Sequence, residues 1–333
     1  MDKPPKVTII IPTYRQARMV VRATESALAQ DYLPLEVIVC DDSRDNETKD
    51  ALKHLLCNDS RSKYIKNDVR LGRVGNYRYA LYHQASGEWV LMLDGDDYLI
   101  DNTFISDAIC GATKDKQILF VQGGGEIRRD VEADGSMLLT TRIPNIDKSE
   151  RNSVVLGKDY VKQFPRKRHF LHLASLYHKE SAKEIDFYRK NLLSSDLESF
   201  MRLALHGKVL LLKRAVGVWW QHSENAGKSA SMNEIIDNSC WSDSVAQYAV
   251  EHRLLSQKEA NKWAKQIHNL EAVGVFVREV NRCKAISKRR INIVMFSCHF
   301  VKRFPKLLLN PVFLKKMLEA LVLPRAQSRP NAK

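Results

Sequence analysis

One stretch decides how the rest of this sequence is interpreted: it runs from Trp89 to Leu99 and reads Trp-Val-Leu-Met-Leu-Asp-Gly-Asp-Asp-Tyr-Leu. Five apolar residues lead without a break into three carboxylates, those of Asp94, Asp96 and Asp97. A short, uninterrupted apolar run is typical of a strand that is buried on both faces of a parallel sheet. The carboxylates would then follow the carboxyl end of that strand, where open α/β sheets bind ligands.

Three carboxylates within four residues repel one another, so at least one pKa should rise unless a cation joins them. Mg²⁺ or Mn²⁺ would remove the conflict, because these hard ions bind oxygen and often take one or two carboxylates together with substrate phosphates. A solvated acidic turn would have the same sequence. The rest of the chain is needed to choose between a metal site and a turn.

The composition is that of a soluble globular protein, with 44% hydrophobic and 28% charged residues among 333. This length suggests about two domains, or one large domain with an extension. The polar first residues and the short run Val7–Ile11 do not make a signal-peptide core, and no run reaches the roughly 18 apolar residues of a membrane span. The six cysteines show no zinc or redox spacing. We therefore expect reduced thiols and a cytoplasmic location.

The net charge of +14 is concentrated at the C-terminal end. Residues 281–333 hold 13 of the 53 Lys and Arg residues and one of the 39 Asp and Glu residues. Bulky apolar residues are interleaved with these cations, which favours an amphipathic tail, residues 285–333, on an anionic surface of the inner membrane. Two alternatives are nucleic acid, which the apolar content disfavours, and a helix pair that closes the domain with a solvated basic face.

Before about residue 100, strand-type and helix-type segments alternate. Strands are predicted at 7–11, 35–40, 64–65 and 89–93, and helices at 19–29, 48–56 and 72–85. This alternation predicts βαβ units, a parallel sheet and an α/β, Rossmann-like fold. The G-x-G-x-x-G and P-loop patterns are absent after the first strand, which disfavours an NAD enzyme or an ATPase.

Beyond residue 100 the predicted order is less regular. Helices are predicted at 102–112, 157–164 and 196–206 and, as a pair broken near 255–256, at 232–284, and strands at 118–123, 136–141, 209–212 and 215–220. A boundary near residue 230 makes residues 1–230 one domain, with halves 1–100 and 101–230. A helical extension, residues 231–284, and the tail, residues 285–333, follow.

Several separated motifs keep a characteristic order and spacing. They are Ile10–Tyr14, Glu36–Thr48, Asn67 with Gly72–Asn76, Gly87–Asp97, Asp196–Gly207 and the segment that ends at His222. Together they resemble the family-2 glycosyltransferases with the GT-A fold, of the type that makes bacterial surface polysaccharide or lipopolysaccharide. The resemblance covers roughly residues 7–225, and the set of motifs is more specific than any single one.

The resemblance implies a nucleoside-diphosphate sugar donor, taken as a UDP-sugar. Asp94, Asp96 and His222 would contact Mn²⁺ or Mg²⁺ beside the diphosphate, with Asp97 as an orienting group. A lone His such as His222 is more often structural. The residues implied in nucleotide-sugar binding are Pro12, Thr13, Tyr14, Asp42, Arg73, Asn76 and Asp94. Asp42 could instead be an ordinary turn carboxylate, and Arg73 and Asn76 could be solvated residues at a helix start.

Inverting transfer needs a carboxylate that removes the proton of the acceptor hydroxyl. The resemblance implies this role for Asp196, which is followed six residues later by Arg202. Ser195 stands where the family usually has Glu, which is a departure. Asp196 could also be a helix N-cap, and Glu198 is the alternative base.

These inferences favour a metal-dependent, inverting glycosyltransferase that acts on a glycan or lipid-linked acceptor and has no nucleic-acid partner. A sugar nucleotidyltransferase shares the metal chemistry, but it needs a glycine-rich phosphate loop, and Pro12–Gln16 contains no glycine. A non-catalytic module that binds a membrane or another anion is the third hypothesis. The presence together of Asp94, Asp96, Asp196 and His222 counts against it.

Overall fold

The computed structural model describes residues 3–130, 137–143, 152–222, 225, 230–238, 240–287, 301, 308–309 and 311–321. The chain forms two compact units, residues 1–229 with 251–254 and residues 230–250 with 255–333. In the part of the chain that is described, the first unit contains all the strands and the second is built of helices.

The strands of the described residues form one mixed sheet of ten strands. In chain order they are β1 (Val7–Thr13), β2 (Leu35–Asp41), β3 (Ser62–Lys66), β4 (Trp89–Met92), β5 (Tyr98–Leu99), β6 (Ile118–Asp130), β7 (Met137–Ile143), β8 (Ser153–Leu156), β9 (Ser175–His178) and β10 (Lys208–Gln221). The spatial order is β3-β2-β1-β4-β9-β6-β10-β5, with β7 beside β6 and β8 beside β10. The first four of these strands are parallel, and β9 enters antiparallel between β4 and β6.

Helices separate the strands, which confirms the α/β alternation predicted from the sequence. Those of the first unit are α1 (Ala17–Leu28), α2 (Glu47–Asn58), α3 (Gly72–Tyr79), α4 (Phe104–Ala112), α5 (Gly157–Gln163), α6 (Lys179–Glu184) and α7 (Ser195–Ala204). A π-helical turn, Ala80–Gln84, continues α3, and a 3₁₀ turn, His172–Ala174, precedes β9.

The loops that follow β1, β2 and β4 meet at one edge of the sheet. These three strands are buried along their whole length, which confirms that the apolar run at residues 89–93 forms a strand covered on both faces. The Asp42 amide donates to the Thr13 carbonyl at 3.0 Å, and the Gly95 amide donates to the Pro12 carbonyl at 3.1 Å. Hydrogen bonds therefore join the loops just beyond the strand ends.

The differences from the predicted elements have local causes. β10 is one strand where two were predicted, because the register shifts between Leu211 and Ala215 and the strand bulges rather than ends. β5, β8 and α6 were not predicted, since such short elements have almost no periodic pattern.

The second unit contains α8 (Met232–Asn238), α9 (Trp241–Glu251), α10 (Gln257–Ser287) and α11 (Pro311–Leu321). The predicted break near residues 255–256 is confirmed, and a second break before Trp241 was not predicted. The Trp241 indole donates to Glu271 at 2.7 Å. The rings of Phe276 and Phe313 lie 5.0 Å apart between centroids, so α11 packs on α10.

Most of the basic tail, residues 285–333, lies outside the described residues, so its contact with a membrane stays a prediction. α11 is the longest described part of this tail, and its Phe313 side chain is buried. Among the described helices, none is both long and apolar enough to cross a membrane.

Glu36, near the start of β2, is a buried carboxylate with several hydrogen-bond donors. It accepts from the Thr8 hydroxyl at 2.6 Å and from the amide and hydroxyl of Ser86 at 2.8 and 2.7 Å. Lys6 and Lys63 form ion pairs with it at 2.9 and 3.1 Å. Burial alone would raise the pKa of Glu36, but the hydrogen bonds from Thr8, Ser86 and Lys6 outweigh burial and lower it to about 2.

We expect Glu36→Gln to destabilise the protein at neutral pH and to matter less in acid. Because the pKa of Glu36 is lowered from 4.5 to about 2 in the folded protein, its charge stabilises the fold above pH 4.5. That contribution, about 3 kcal/mol, is lost as the pH falls toward 2. The difference in Tm between the wild type and the variant should therefore be smaller at pH 3 than at pH 7. Glu25→Gln, at an exposed position, is the control, and an equal difference at both pH values would contradict the prediction.

Candidate active site

The acidic loop after β4 lies tightly against the end of β1. The Asp97 amide donates to the Asp94 carbonyl at 2.9 Å, which closes a turn. A Cβ atom on Gly95 would lie 2.9 Å from Gln16 Oε1 and 3.0 Å from the Thr13 side chain. Glycine is therefore needed for this close approach, which sets where the neighbouring carboxylates project.

Asp94 has a half-buried carboxylate, with 32% of its side chain exposed. The Tyr77 hydroxyl donates to Oδ1 at 2.5 Å, and His172 Nδ1 lies 3.8 Å from Oδ2. Burial alone would raise the pKa of Asp94, but His172, Tyr77 and Arg73 together lower it. Asp94 therefore keeps the negative charge that cation binding requires.

Asp96 and His222 come together from distant parts of the sequence. His222 Nε2 lies 2.9 Å from Asp96 Oδ2, and the same oxygen accepts a hydrogen bond from the Asn225 amide at 3.0 Å. Both side chains are buried. Two of the three residues predicted as metal ligands thus contact each other directly.

The third acid of the loop, Asp97, lies in surroundings that disfavour its ionised form. It accepts a hydrogen bond from the Trp220 amide at 2.9 Å. Burial and the charges of Asp96 and Asp94 raise its pKa well above the ordinary value. The expectation that at least one of the three pKa values rises is therefore confirmed. Asp97 also joins the acidic loop to the end of β10, which leads to His222.

Asp196 lies in the first turn of α7, with 22% of its side chain exposed, and its Oδ2 is 4.0 Å from His172 Nδ1. Ser194 occupies the cap position before the helix, so Asp196 is not the N-cap. Among the described residues, no hydrogen bond engages the Asp196 carboxylate. Its oxygens are therefore available to a substrate hydroxyl.

Arg73 connects α3 with the loop that precedes α7. Its Nη2 donates to the carbonyls of Leu192 and Leu193 at 2.7 and 2.9 Å. Burial by itself would lower the pKa of Arg73, but Tyr77 and Asp196 raise it above the ordinary value. The observed contacts of Arg73 are with the protein's own backbone. Its predicted contact with a nucleotide sugar stays a prediction.

Asp42 and Asn76 belong to a buried network at the start of α3. Asp42 accepts hydrogen bonds from the amides of Leu71 and Gly72 at 2.8 and 2.9 Å and from Asn67 at 2.9 Å. Asn76 accepts from the same Asn67 amide group at 3.0 Å. The turn-carboxylate interpretation of Asp42 fits these contacts, and direct binding of a nucleotide by Asp42 or Asn76 stays a prediction.

The three residues predicted at the end of β1 lie at the same sheet edge as the acidic loop. Pro12 and Thr13 are buried, and Tyr14 is half-buried. The Arg70 guanidinium stacks over the Tyr14 ring, 4.3 Å from its centroid. Arg70 was not singled out from the sequence, because an isolated cation in a loop has no local pattern.

Glu198, the alternative base, is held in ion pairs. Its carboxylate forms a bidentate pair with Arg202, with two contacts of 2.9 Å, and Arg189 lies at 3.1 Å. Arg202 also donates to the carbonyls of Ile185 and Asp186. Glu198 and Arg202 are fully buried. Glu198 therefore stabilises α7, which favours the other acid of its first turn as the base.

His172 contacts both Asp94 and Asp196 and was not predicted from the sequence. Its Nε2 lies 2.8 Å from the Tyr188 hydroxyl, while Nδ1 faces the two carboxylates described above. Buried Gln122 holds the turn that carries His172 and accepts a hydrogen bond from the Ser175 hydroxyl at 2.8 Å. A single His in an apolar segment gives no signal in the sequence, and only the placement of β9 between β4 and β6 brings it here.

The chemistry of Asp94, Asp96 and His222 fits a hard divalent ion. Asp94 offers a charged, partly exposed carboxylate, and the Asp96–His222 contact shows that these two side chains reach one point. Among the described residues, no group of three or more His, Cys, Asp or Glu side chains surrounds a single ion position. Mg²⁺ and Mn²⁺ commonly complete their shell with water and substrate phosphates, so one or two carboxylates suffice.

Comparison with solved structures identifies the fold class. TarS residues 1–349 from S. aureus in complex with UDP-GlcNAc superposes with a TM-score of 0.65 at 18% identity, over 95% of this chain and 88% of that one. The mannosyltransferase PcManGT from Pyrobaculum calidifontis, in complex with GDP-Man and Mn²⁺, superposes with a TM-score of 0.52 at 15% identity. The superposition covers 96% of this chain and 85% of that one. At these identities the likeness shows the fold alone, which is GT-A as predicted.

Sequence comparison shows which family the first third of the chain resembles. Residues 8–122 match the model of Glycosyl transferase family 2. The GalNAc(5)-diNAcBac-PP-undecaprenol beta-1,3-glucosyltransferase of Campylobacter jejuni is 39% identical over 97 residues, 29% of this chain and 31% of the relative. The UDP-Glc:alpha-D-GlcNAc-diphosphoundecaprenol beta-1,3-glucosyltransferase WfaP of Escherichia coli is 39% identical over 103 residues, which make up 31% of this chain and 39% of that relative. The chain thus spans well under half of the length of these relatives. The match over residues 8–122 confirms the predicted resemblance to the family 2 glycosyltransferases.

We expect Glu198→Gln to lower the free energy of unfolding by about 3 kcal/mol, because it leaves the buried Arg202 cation without its carboxylate. Thermal unfolding followed by circular dichroism measures this loss. Glu184→Gln, at an exposed position of α6, is the matched control and should leave Tm unchanged. An unchanged Tm in the Glu198 variant, combined with a loss of activity, would instead assign Glu198 to the chemistry.

Proposed function

We propose that this chain is a metal-dependent, inverting glycosyltransferase that moves a sugar from a nucleoside-diphosphate donor, a UDP-sugar, to a hydroxyl group of a glycan or lipid-linked acceptor. One observation carries the proposal: Asp94 of the acidic loop and Asp196 of α7 lie 3.8 and 4.0 Å from the same nitrogen of His172. Such proximity lets one substrate oxygen attack as another leaves.

On the donor side, Asp94 and Asp96 would hold Mn²⁺ or Mg²⁺, with His222 beside them. When bound, the ion would neutralise the charge that develops on the departing diphosphate. The Tyr77 hydroxyl orients Asp94 and favours its charged form. The other residues proposed along the nucleotide sugar are Pro12, Thr13, Tyr14, Asp42, Arg73 and Asn76.

On the acceptor side, Asp196 accepts the proton of the acceptor hydroxyl as its oxygen bonds to the anomeric carbon. The bond from that carbon to the diphosphate oxygen breaks on the opposite face, so the configuration inverts and the electron pair leaves with the diphosphate. The Tyr188 hydroxyl lies 2.8 Å from His172 Nε2 and orients the ring, whose Nδ1 lies near both carboxylates.

The names of the relatives support the donor and acceptor classes. The Escherichia coli relative is named for UDP-Glc, both relatives for an undecaprenol diphosphate acceptor, and the TarS structure contains UDP-GlcNAc. By analogy we propose a lipid-linked acceptor in the synthesis of bacterial surface polysaccharide or lipopolysaccharide. The chain would act at the cytoplasmic face of the membrane, with the basic tail, residues 285–333, on anionic lipid.

Asp196→Asn should lower kcat by about 1,000-fold and leave UDP affinity nearly intact, because the carboxylate is proposed to act only on the acceptor proton. Transfer from labelled UDP-glucose to a diphosphoundecaprenol-linked sugar measures the first quantity. Calorimetry with UDP and Mn²⁺ measures the second. Asp50→Asn, at an exposed position of α2, is the control. Loss of UDP binding in the Asp196 variant would reassign this residue to the donor side.

Asp94→Ala and Asp96→Ala should each weaken UDP binding in the presence of Mn²⁺ by at least about 100-fold, because each removes a proposed ligand of the ion. Calorimetry with and without Mn²⁺ separates the metal-dependent part of the affinity. Asp31→Ala, in an exposed loop position, should bind UDP as the wild type does. If either variant turned over substrate at the wild-type rate, the proposed metal site would be wrong.

A further inference from the structure

A run of cationic side chains follows the edge strand β8. Residues 152–170 contain five Lys and Arg residues and a single acid, Asp159. The cations are Lys158, Lys162, Arg166, Lys167 and Arg168, of which all except the half-buried Arg168 are exposed. They occupy α5 and the loop after it, so a short piece of chain presents a concentrated positive charge.

Most of these cations have no carboxylate partner within the described part of the chain. Among the described residues, no carboxylate pairs with Lys158, Arg166, Lys167 or Arg168. Some other cations of the unit do have such partners, as half-buried Lys208 has in Asp115 at 2.8 Å. The described residues thus leave the positive charge of Lys158, Arg166, Lys167 and Arg168 without a neutralising carboxylate, and such charge attracts anions.

Exposed aliphatic side chains of β8 directly precede the cations in the sequence. The burial of β8 alternates, so that Val154 and Leu156 project from the same face and are 48% and 57% exposed. Within the described part of the sheet, β8 pairs with β10 alone, so that no described strand pairs with its other edge. Aliphatic groups flanked by Lys and Arg are the composition that binds the interface of an anionic membrane.

This surface continues directly into the acceptor side of the candidate site. The Tyr160 hydroxyl of α5 donates to the His169 carbonyl at 2.9 Å, which fixes the basic loop over its helix. The next residue, Phe170, packs on Phe200 of α7 with 4.9 Å between ring centroids. Two residues later His172 reaches the catalytic carboxylates. A molecule bound at the loop would therefore border the place where the acceptor hydroxyl must arrive.

We propose that Val154, Leu156, Lys158, Arg166 and Lys167 form a membrane-binding surface, here called the β8 surface, which contacts anionic lipid headgroups. The cations neutralise the headgroups and the aliphatic side chains enter the interface. The proposal rests on the proposed function in one respect: a lipid-linked acceptor presents its glycan from the same membrane. The β8 surface would then bring the acceptor side of the site to that glycan.

Vesicle sedimentation with the full chain tests the proposal without any nucleotide sugar. The wild type should bind vesicles that contain phosphatidylglycerol and not vesicles of phosphatidylcholine alone. The triple variant Lys158→Gln, Arg166→Gln and Lys167→Gln should bind roughly 100-fold more weakly, given about fivefold per cation. The matched control, Lys49→Gln, Lys53→Gln and Lys116→Gln, removes three exposed cations outside this surface and should bind as the wild type does.

Three results would overturn the proposal. One is equal vesicle binding by the two triple variants. Another is binding of duplex DNA, with no binding of anionic vesicles, which would assign the surface to nucleic acid. The third is a wild-type dimer that Val154→Ser with Leu156→Ser converts to a monomer, since the β8 edge would then be covered by a second copy. UDP affinity with Mn²⁺ should be unchanged in the β8-surface variant, so its loss of vesicle binding is separable from any failure of the proposed donor site.

Discussion

The pairing of β1 with both β2 and β4 fixes where the residues of the proposed donor side lie. Because the three strands are parallel and in aligned register, their carboxyl ends reach the same edge of the sheet. Backbone hydrogen bonds then join the loops, from Asp42 to Thr13 and from Gly95 to Pro12. Since a side chain at position 95 would collide with Thr13 and Gln16, the acidic loop has little freedom. The backbone therefore positions the carboxylates before any ligand arrives.

Different surroundings give the neighbouring acids of this loop different properties. The pKa of Asp94 is lowered because interactions with His172, Tyr77 and Arg73 outweigh its burial. The pKa of Asp97 is raised, because burial and the adjacent negative charges disfavour ionisation. One acid is thus kept charged and partly exposed, as a metal ligand must be, while the other is buried as a structural acceptor. The division follows from the environment and not from the residue type.

Local patterns in the sequence predicted the strand ends but not the contacts made across the fold. β1, β2, β4 and the acidic loop follow from apolar runs that end in polar residues. His172 has no such pattern, because its position depends on β9 entering between β4 and β6. Glu198 was considered as a base because the sequence does not reveal its burial beside Arg202. The placement of His172 depends on domain-scale strand pairing, whereas Glu198 and Arg202 form a local i,i+4 pair whose burial depends on tertiary packing.

Arg73 makes the proposed base, Asp196, and the proposed donor site depend on the same helix. Its guanidinium, on α3, donates to the carbonyls of Leu192 and Leu193 just before Asp196. One turn further along α3, Tyr77 donates to Asp94. A small displacement of α3 would therefore move both the loop before Asp196 and the hydrogen bond to Asp94. Because group-transfer reactions are sensitive to displacements of about 1 Å, a shared support would preserve the spacing on which the proposed transfer depends.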